Sequence, residues 1–178
     1  MKRSLFKWEI TGIAVIFLLG SALHFVFDLT GGWPPAGVFA AVNESVFEHL
    51  KLTFWPTVLY AAISYNFLKP STRNFLIGKA AALFAMPVTI IVLFYGYTTL
   101  TGIENVFIDI LIFLVAVACG QLISYKILKA GPLPVWLTGL SVFLIIALGF
   151  IYAFFTFYPP HVPFFMDENT GGYGIISE

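Results

Sequence analysis

Three histidines and one dense string of ionisable residues carry whatever chemistry this sequence offers. The string is Asn43-Glu44-Ser45-Val46-Phe47-Glu48-His49-Leu50-Lys51, and it opens an otherwise apolar segment. At about 100° per residue, Glu44, Glu48, Lys51 and Trp55 fall within a helical stripe about 60° wide, whereas His49 points about 100° away from Glu48. One face therefore carries two carboxylates and their counter-ion, and Lys51 is expected to pair with Glu48 or Glu44. Upstream, His24 and Asp28 are four residues apart, on one helix face above Gly20 and Ser21, so the carboxylate can orient the imidazole. Downstream, Asp109 follows Glu104 and Asn105 into an apolar run, on a face continued by Phe113, Ala116 and Gly120.

These types suit a metal centre. Neutral imidazoles from His24, His49 and His161, with a carboxylate from Glu44 or Asp28, form a donor set that fits zinc. A position left open would hold a water of lowered pKa for attack on an ester, amide or phosphoester, with Glu48 or Glu44 as general base. Asn43, Lys51 and Asp109 would support the site. A plainer account exists for some of them. Ser45-x-x-Glu48 also fits a capping box, in which Glu48 satisfies a free N–H at a helix start. Asp109 can be an interfacial acid favoured by a helix dipole.

The elements that must position these residues span a membrane. Of 178 residues, 60% are hydrophobic and 10% charged, against roughly 45–50% and 25% in an average soluble domain. Five runs, residues 10–29, 45–68, 75–100, 106–128 and 135–157, approach or exceed the ~20 residues needed to cross a bilayer. Pro, Gly and polar stretches such as Lys69-Pro70-Ser71-Thr72-Arg73 and Gly131-Pro132-Leu133-Pro134 separate them. The first run follows Lys2, Arg3 and Lys7 as a signal peptide would. It is too long for a usual apolar signal core and lacks a small-x-small cleavage site, so it is expected to remain as a helix. Pro56 should kink the second span. The zero net charge argues against a nucleic-acid partner, and Cys119, the single cysteine, offers no disulfide framework.

Charge orders the spans. Lys2, Arg3, Lys7, Lys69, Arg73, Lys79, Lys126 and Lys129, eight of nine basic residues, fall at one face of a five-span arrangement. Eight of nine acids, Asp28, Glu44, Glu48, Glu104, Asp109, Asp167, Glu168 and Glu178, fall toward the other with all three histidines. The positive-inside rule makes the basic face cytoplasmic, which gives a multi-pass protein of the plasma membrane with a cytoplasmic N-terminus. The expected fold is thus an all-α bundle over residues 1–157 with an extracytoplasmic tail over 158–178. Pro159, Pro160 and Pro163 limit the tail's freedom, and Asp167 to Gly172 carries turn chemistry. The tail is expected to lie across the outer mouth as a lid that points His161 toward His24 and His49.

The Asn43 to Lys51 string, the His24-x-x-x-Asp28 step and the tail Pro-Pro-His-Val-Pro-Phe-Phe ending in Thr-Gly-Gly-Tyr-Gly resemble a family of small prokaryotic membrane proteins catalogued as a domain of unknown function. That resemblance spans essentially the whole chain and implies no activity. A more distant likeness is to membrane hydrolases of the alkaline ceramidase type, which bind zinc through histidines and an aspartate between helices. Ser21, His24 and Asp28 are similar to that set, while the late-helix His-x-x-x-His and two helices of that type are absent.

Three functions fit these residues: a zinc-dependent membrane hydrolase acting on a small molecule or lipid, a transporter or ion-conducting protein, and a non-catalytic subunit whose polar cluster staples helices together. A path lined by Glu44, Glu48, Asp109 and Lys51 would meet little beyond Ser64, Asn66, Thr89, Gln121, Ser124 and Thr138 in the inner half, which disfavours transport. A staple needs no substrate, since buried charge pairs can fix packing while adding little stability.

Overall fold

The structure, a computed structural model, describes the backbone of residues 2–176 and the side chains of 4–176. The Lys2 and Arg3 side chains and Glu178, which enter the charge count above, lie outside the described residues. The chain forms five α-helices: α1 (Lys2–Leu29), α2 (Val46–Leu68), α3 (Phe75–Thr101), α4 (Val106–Lys129) and α5 (Val135–Phe157). Short 3-10 turns lie at Pro34–Val38, Lys69–Ser71 and Pro163–Phe165, and among the described residues there is no strand. The helix ends follow local chemistry. Ser45 caps α2 by accepting from the Glu48 N–H, Asn105 caps α4 by accepting from Phe107 and Ile108, and Gly102 ends α3 at φ 70°, in the left-handed region.

Among the described residues four helices, α1, α3, α4 and α5, are long and apolar enough to cross a membrane, which makes this a membrane protein. The expectation of five such spans differs at α2. Its first turns hold Glu48, His49 and Lys51, and these lower the apolarity of an otherwise suitable 23-residue helix. Successive helices run antiparallel. At one end the last turns of α1, α3 and α5 meet the first turns of α2 and α4, as His24 beside His49 and Tyr97 bonded to Asp109 attest. This is the site end. At the opposite end Leu5, Leu68, Phe75 and Leu128 pack together. There the Asn74 side chain donates to the Ile127 and Gly131 carbonyls and accepts from the Leu133 N–H.

The α1–α2 connection is folded into the bundle. Ala36, Gly37, Ala40, Ala41 and Val42 are all buried. Backbone amides that lie away from water need partners, and α2 supplies them. Lys51 Nζ donates to the Gly37 carbonyl at 2.6 Å, Trp55 Nε1 to the Val38 carbonyl at 2.8 Å, and Glu48 Oε2 accepts from the Val42 N–H at 3.1 Å. The segment therefore holds its shape through side chains one and two turns into the next helix.

α2 continues as a helix through Pro56. With no N–H, Pro56 leaves the Leu52 carbonyl without its i+4 donor, and α1 comes close at that point. A Cβ added to Gly20 would lie 2.6 Å from the Leu52 oxygen and 2.5 Å from Cζ of Phe113. Only glycine lets α1 approach α2 and α4 this closely.

A second ion pair lies near the opposite end. Lys79 Nζ sits 2.6 and 2.8 Å from the two Glu9 oxygens, both residues buried, with the Lys79 ammonium over the Tyr60 and Phe75 rings. Lys79 is thus not a free charge at the basic face. It neutralises an acid inside the protein, as burial of either charge requires.

Candidate metal centre and cavity

His24 leaves the last turns of α1, His49 the first turn of α2, and Glu44 the connecting segment just before the α2 cap. Their ligand atoms converge. His24 Nε2 is 3.1 Å from His49 Nε2 and 3.5 Å from Glu44 Oε2, and His49 Nε2 is 3.3 Å from the same oxygen. These three residues form a group able to hold a metal ion. A tetrahedral zinc with bonds of about 2.0–2.1 Å has ligand atoms roughly 3.3–3.4 Å apart, so the three atoms mark out a triangular face of such a tetrahedron. The set of two imidazoles and one glutamate leaves a fourth position free.

The surroundings prepare the donors. His49 Nδ1 lies 2.9 Å from the Ser45 carbonyl, which can only accept, so the ring proton sits on Nδ1 and neutral His49 presents a bare Nε2 to the cluster. The imidazoles beside it, His24 first and then His49, outweigh the cost of burial and hold the Glu44 carboxyl well below the usual carboxylate range. Glu44 is therefore an anionic donor at any physiological pH.

Glu44 is itself held from below. Its N–H donates to Asp167 Oδ2 at 2.7 Å, while Asp167 Oδ1 accepts from the N–H groups of Asn169 and Thr170 and from the Thr170 hydroxyl. Burial would raise the Asp167 carboxyl, but these bonds, the Glu44 N–H first, bring it below its ordinary value. Asn43 accepts from the Ser45 N–H and donates to the Gly174 carbonyl at 2.9 Å. Tail and connecting segment are thus tied at adjacent residues. Phe164 and Phe165 add apolar contact by packing on Phe47 of α2.

The cluster lies at the polar end of a cavity of about 760 Å³ between α1, α2, α3 and α4. Phe17, Leu52, Ile90, Phe94, Ile112 and Phe113 line its apolar part, and Glu104, Asn105, Asp109, Glu168 and Asn169 join His24, Glu44 and His49 around its polar part. Asp109 Oδ1 accepts from the Tyr97 hydroxyl at 2.7 Å. Glu168 is pushed up to about 7, first by burial and then by Glu104 beside it. The volume falls in the range of about 300–1,000 Å³ usual for small-molecule sites, and the pattern of apolar walls with few polar groups is also typical.

Not every expected residue joins. Glu48 is 2% exposed, and its oxygens are occupied by Lys51 at 2.5 Å, Val42 N–H at 3.1 Å and the Thr156 hydroxyl at 3.0 Å. It faces the connecting segment and α5, not the cavity. Its carboxylate also leaves the capping box half made, because a buried ammonium beside it demands a partner more strongly than the Ser45 N–H, which Asn43 satisfies. Lys51 is fully buried and pairs with Glu48, with Thr156 as a further acceptor at 2.6 Å. His161 is exposed and stacks on Tyr173 at 4.5 Å, because the turn anchored by Asp167 returns the chain to it. Asp28 is exposed at the end of α1, one turn beyond His24. Neither lines the cavity. Little in the amino-acid pattern marks Glu168 and Asn169 as lining residues, and nothing marks Thr156. For Asp167 the signal was its place before Asn-Thr-Gly-Gly, which is turn chemistry.

Comparison with known proteins adds one match. The family of unknown function DUF6512 aligns with residues 1–175, nearly the full chain. The chain belongs to this family. No curated protein and no solved structure matches it. The family description carries no activity, so the chemistry of the DUF6512 chain rests on its own residues.

Proposed function

We propose that this protein is a zinc-dependent hydrolase of the plasma membrane, with its site end extracytoplasmic and with His24, His49 and Glu44 as the metal ligands. The observation that carries this reading is the triangle of donor atoms with edges of 3.1, 3.3 and 3.5 Å at the head of an apolar cavity. The orientation follows from the basic residues of the opposite end, Lys7, Lys69, Arg73, Lys126 and Lys129. Bound zinc would supply Lewis acidity at the open position. Hydrolysis then breaks an acyl C–O or C–N bond with water as the nucleophile. Asp109 is the base: Tyr97 occupies Oδ1, leaving Oδ2 to take the proton of the water and return it to the departing oxygen or nitrogen. Glu48 has a positioning role here, since it shapes the segment from which Glu44 projects. Asp28 and His161 are left without a ligand role.

Elemental analysis of the detergent-solubilised full chain tests the centre. The parent should carry close to one equivalent of zinc, and the His24→Ala, His49→Ala double variant should lose it. Equal metal content in the two proteins would end this reading.

A further inference from the structure

The cavity has a charge pattern and an opening that the metal centre does not use. Glu104, Asp109 and Glu168 line it in addition to Glu44, and among the described residues no Lys or Arg does. The two imidazoles are already engaged with Glu44. Three carboxyl groups therefore face the polar part, Glu104 and Glu168 close enough to share a proton, with no Lys or Arg among the described residues to answer them. They come from different elements, Glu104 from the α3–α4 turn, Asp109 from α4 and Glu168 from the tail, so the surplus is built by the fold and not by one acidic stretch.

The apolar part has a defined direction and a break in its wall. Phe17 is seven residues before His24 on α1, roughly 10 Å along the helix axis, and Phe113 is one turn deeper than Asp109 on α4. The cavity thus runs lengthwise from polar to apolar, along α1 and α4. Phe25 on α1 and Val106 and Ile110 on α4 line the cavity and are also 60%, 64% and 49% exposed. Both helices are membrane-spanning by length and apolarity. The opening between them is bordered by apolar side chains that lipid, and not water, would cover.

We propose that the cavity takes a single-chain amphiphile with an ammonium head, entering sideways from the bilayer between α1 and α4. The head lies against Glu104 and Glu168, which have no Lys or Arg beside them among the residues lining the cavity, and Asp109 stays free to act on the water. The chain follows Phe17, Phe94 and Phe113 toward the middle of the bundle. An anionic head is excluded by like charge, and an uncharged one leaves the carboxylates unpaired. This assigns the substrate class of the proposed hydrolase. It rests on that reading for the bond that is cut, but not for binding.

Equilibrium binding of radiolabelled dodecyltrimethylammonium, dodecanol and dodecyl phosphate to the full chain in nanodiscs tests it, with empty nanodiscs subtracted and with both chelator-treated and zinc-loaded protein. In the chelator-treated protein the cationic probe should bind at least tenfold more tightly than either other probe, and in the zinc-loaded protein, where a phosphate can take the open position on the metal, tenfold more tightly than dodecanol. The Glu104→Gln, Glu168→Gln double variant should lose most of that preference, and in a time course of association Ile110→Trp should slow entry of all three probes. Dodecyl phosphate or dodecanol binding the chelator-treated protein as tightly as the cation would overturn the proposal, as would a preference that survives the double variant. Since binding is read without metal, these failures leave zinc content untouched, and absence of zinc with the preference intact would fault the hydrolase reading alone.

Discussion

Replacing Lys51 by Met removes the only cation from a pocket in which Glu48 is 2% exposed and bonded on both oxygens. The remaining carboxylate would face the Val42 N–H and the Thr156 hydroxyl with no counter-charge, and the Gly37 carbonyl would lose its donor. Breaking a buried pair from one side costs about 3–5 kcal/mol. At about 2–4 °C per kcal/mol for a chain of this size, melting in detergent should fall by roughly 10 °C. The double variant Glu48→Gln, Lys51→Met removes both charges and should recover much of the loss, because the coupling resides in the pair. Zinc affinity should fall in the single variant as well, since Glu44 stands two residues beyond Val42 in the segment that this pair shapes. Thermal unfolding of the parent, both single variants and the double variant forms a complete cycle. A Lys51→Met protein melting within about 2 °C of the parent, or a double variant that loses the sum of the singles, would refute the reasoning.

Gly20→Ala should destabilise by about 1–3 kcal/mol, as an overpacked contact does, because the new Cβ meets Phe113 and the Leu52 carbonyl; a raised melting point would show that α1 is not so close. Asp167→Asn places an amide against the Glu44 N–H and should cost about 1–3 kcal/mol, read as faster hydrogen exchange at Glu44 with the distant Asn74 region unchanged. Glu168 has a folded-state value of about 7 against an ordinary 4.5, so the folded state holds the proton more tightly and its contribution is present at low pH and lost as pH rises from about 4.5 through 7. Exchange protection of the tail should therefore decline between pH 5 and pH 8, by an amount muted by solvent screening, and Glu168→Gln should flatten the profile.

His24, Glu44 and His49 were legible as a group because charged and imidazole side chains stand out in apolar spans and a short link forces α1 and α2 to be neighbours. Their separation from Glu48 was less so. Helical projection puts Glu44 and Glu48 on one stripe, but Glu44 precedes the helix, which begins at Val46, and so does not obey its angular spacing. His161 was misdirected for a related reason: prolines indicate an extended path but not its heading, which Asp167 sets through the turn to Gly172. The Glu9–Lys79 pair escaped notice because each residue sits near a helix end where a solvated charge is ordinary, and only α1 against α3 brings them together. Thr156 gives no signal at all, since a threonine near the end of an apolar helix has no pattern that marks it as the partner of residues more than 100 positions away.

Those long spans in sequence impose an order of assembly. The segment that bears Glu44 is gripped by Lys51 and Glu48 from α2, by Thr156 from the last turn of α5, and by Asp167 and Gly174 from the tail. A ribosome that has released only α1 and α2 has delivered His24, Glu44 and His49 but none of the later clamps. Loop closure over more than a hundred residues must precede the final geometry. The triangle of His24, Glu44 and His49 is thus completed only after the fifth helix is in place and the tail has reached the same end of the bundle. A chain stalled or cut before that point would reach the membrane with His24, Glu44 and His49 present and unassembled.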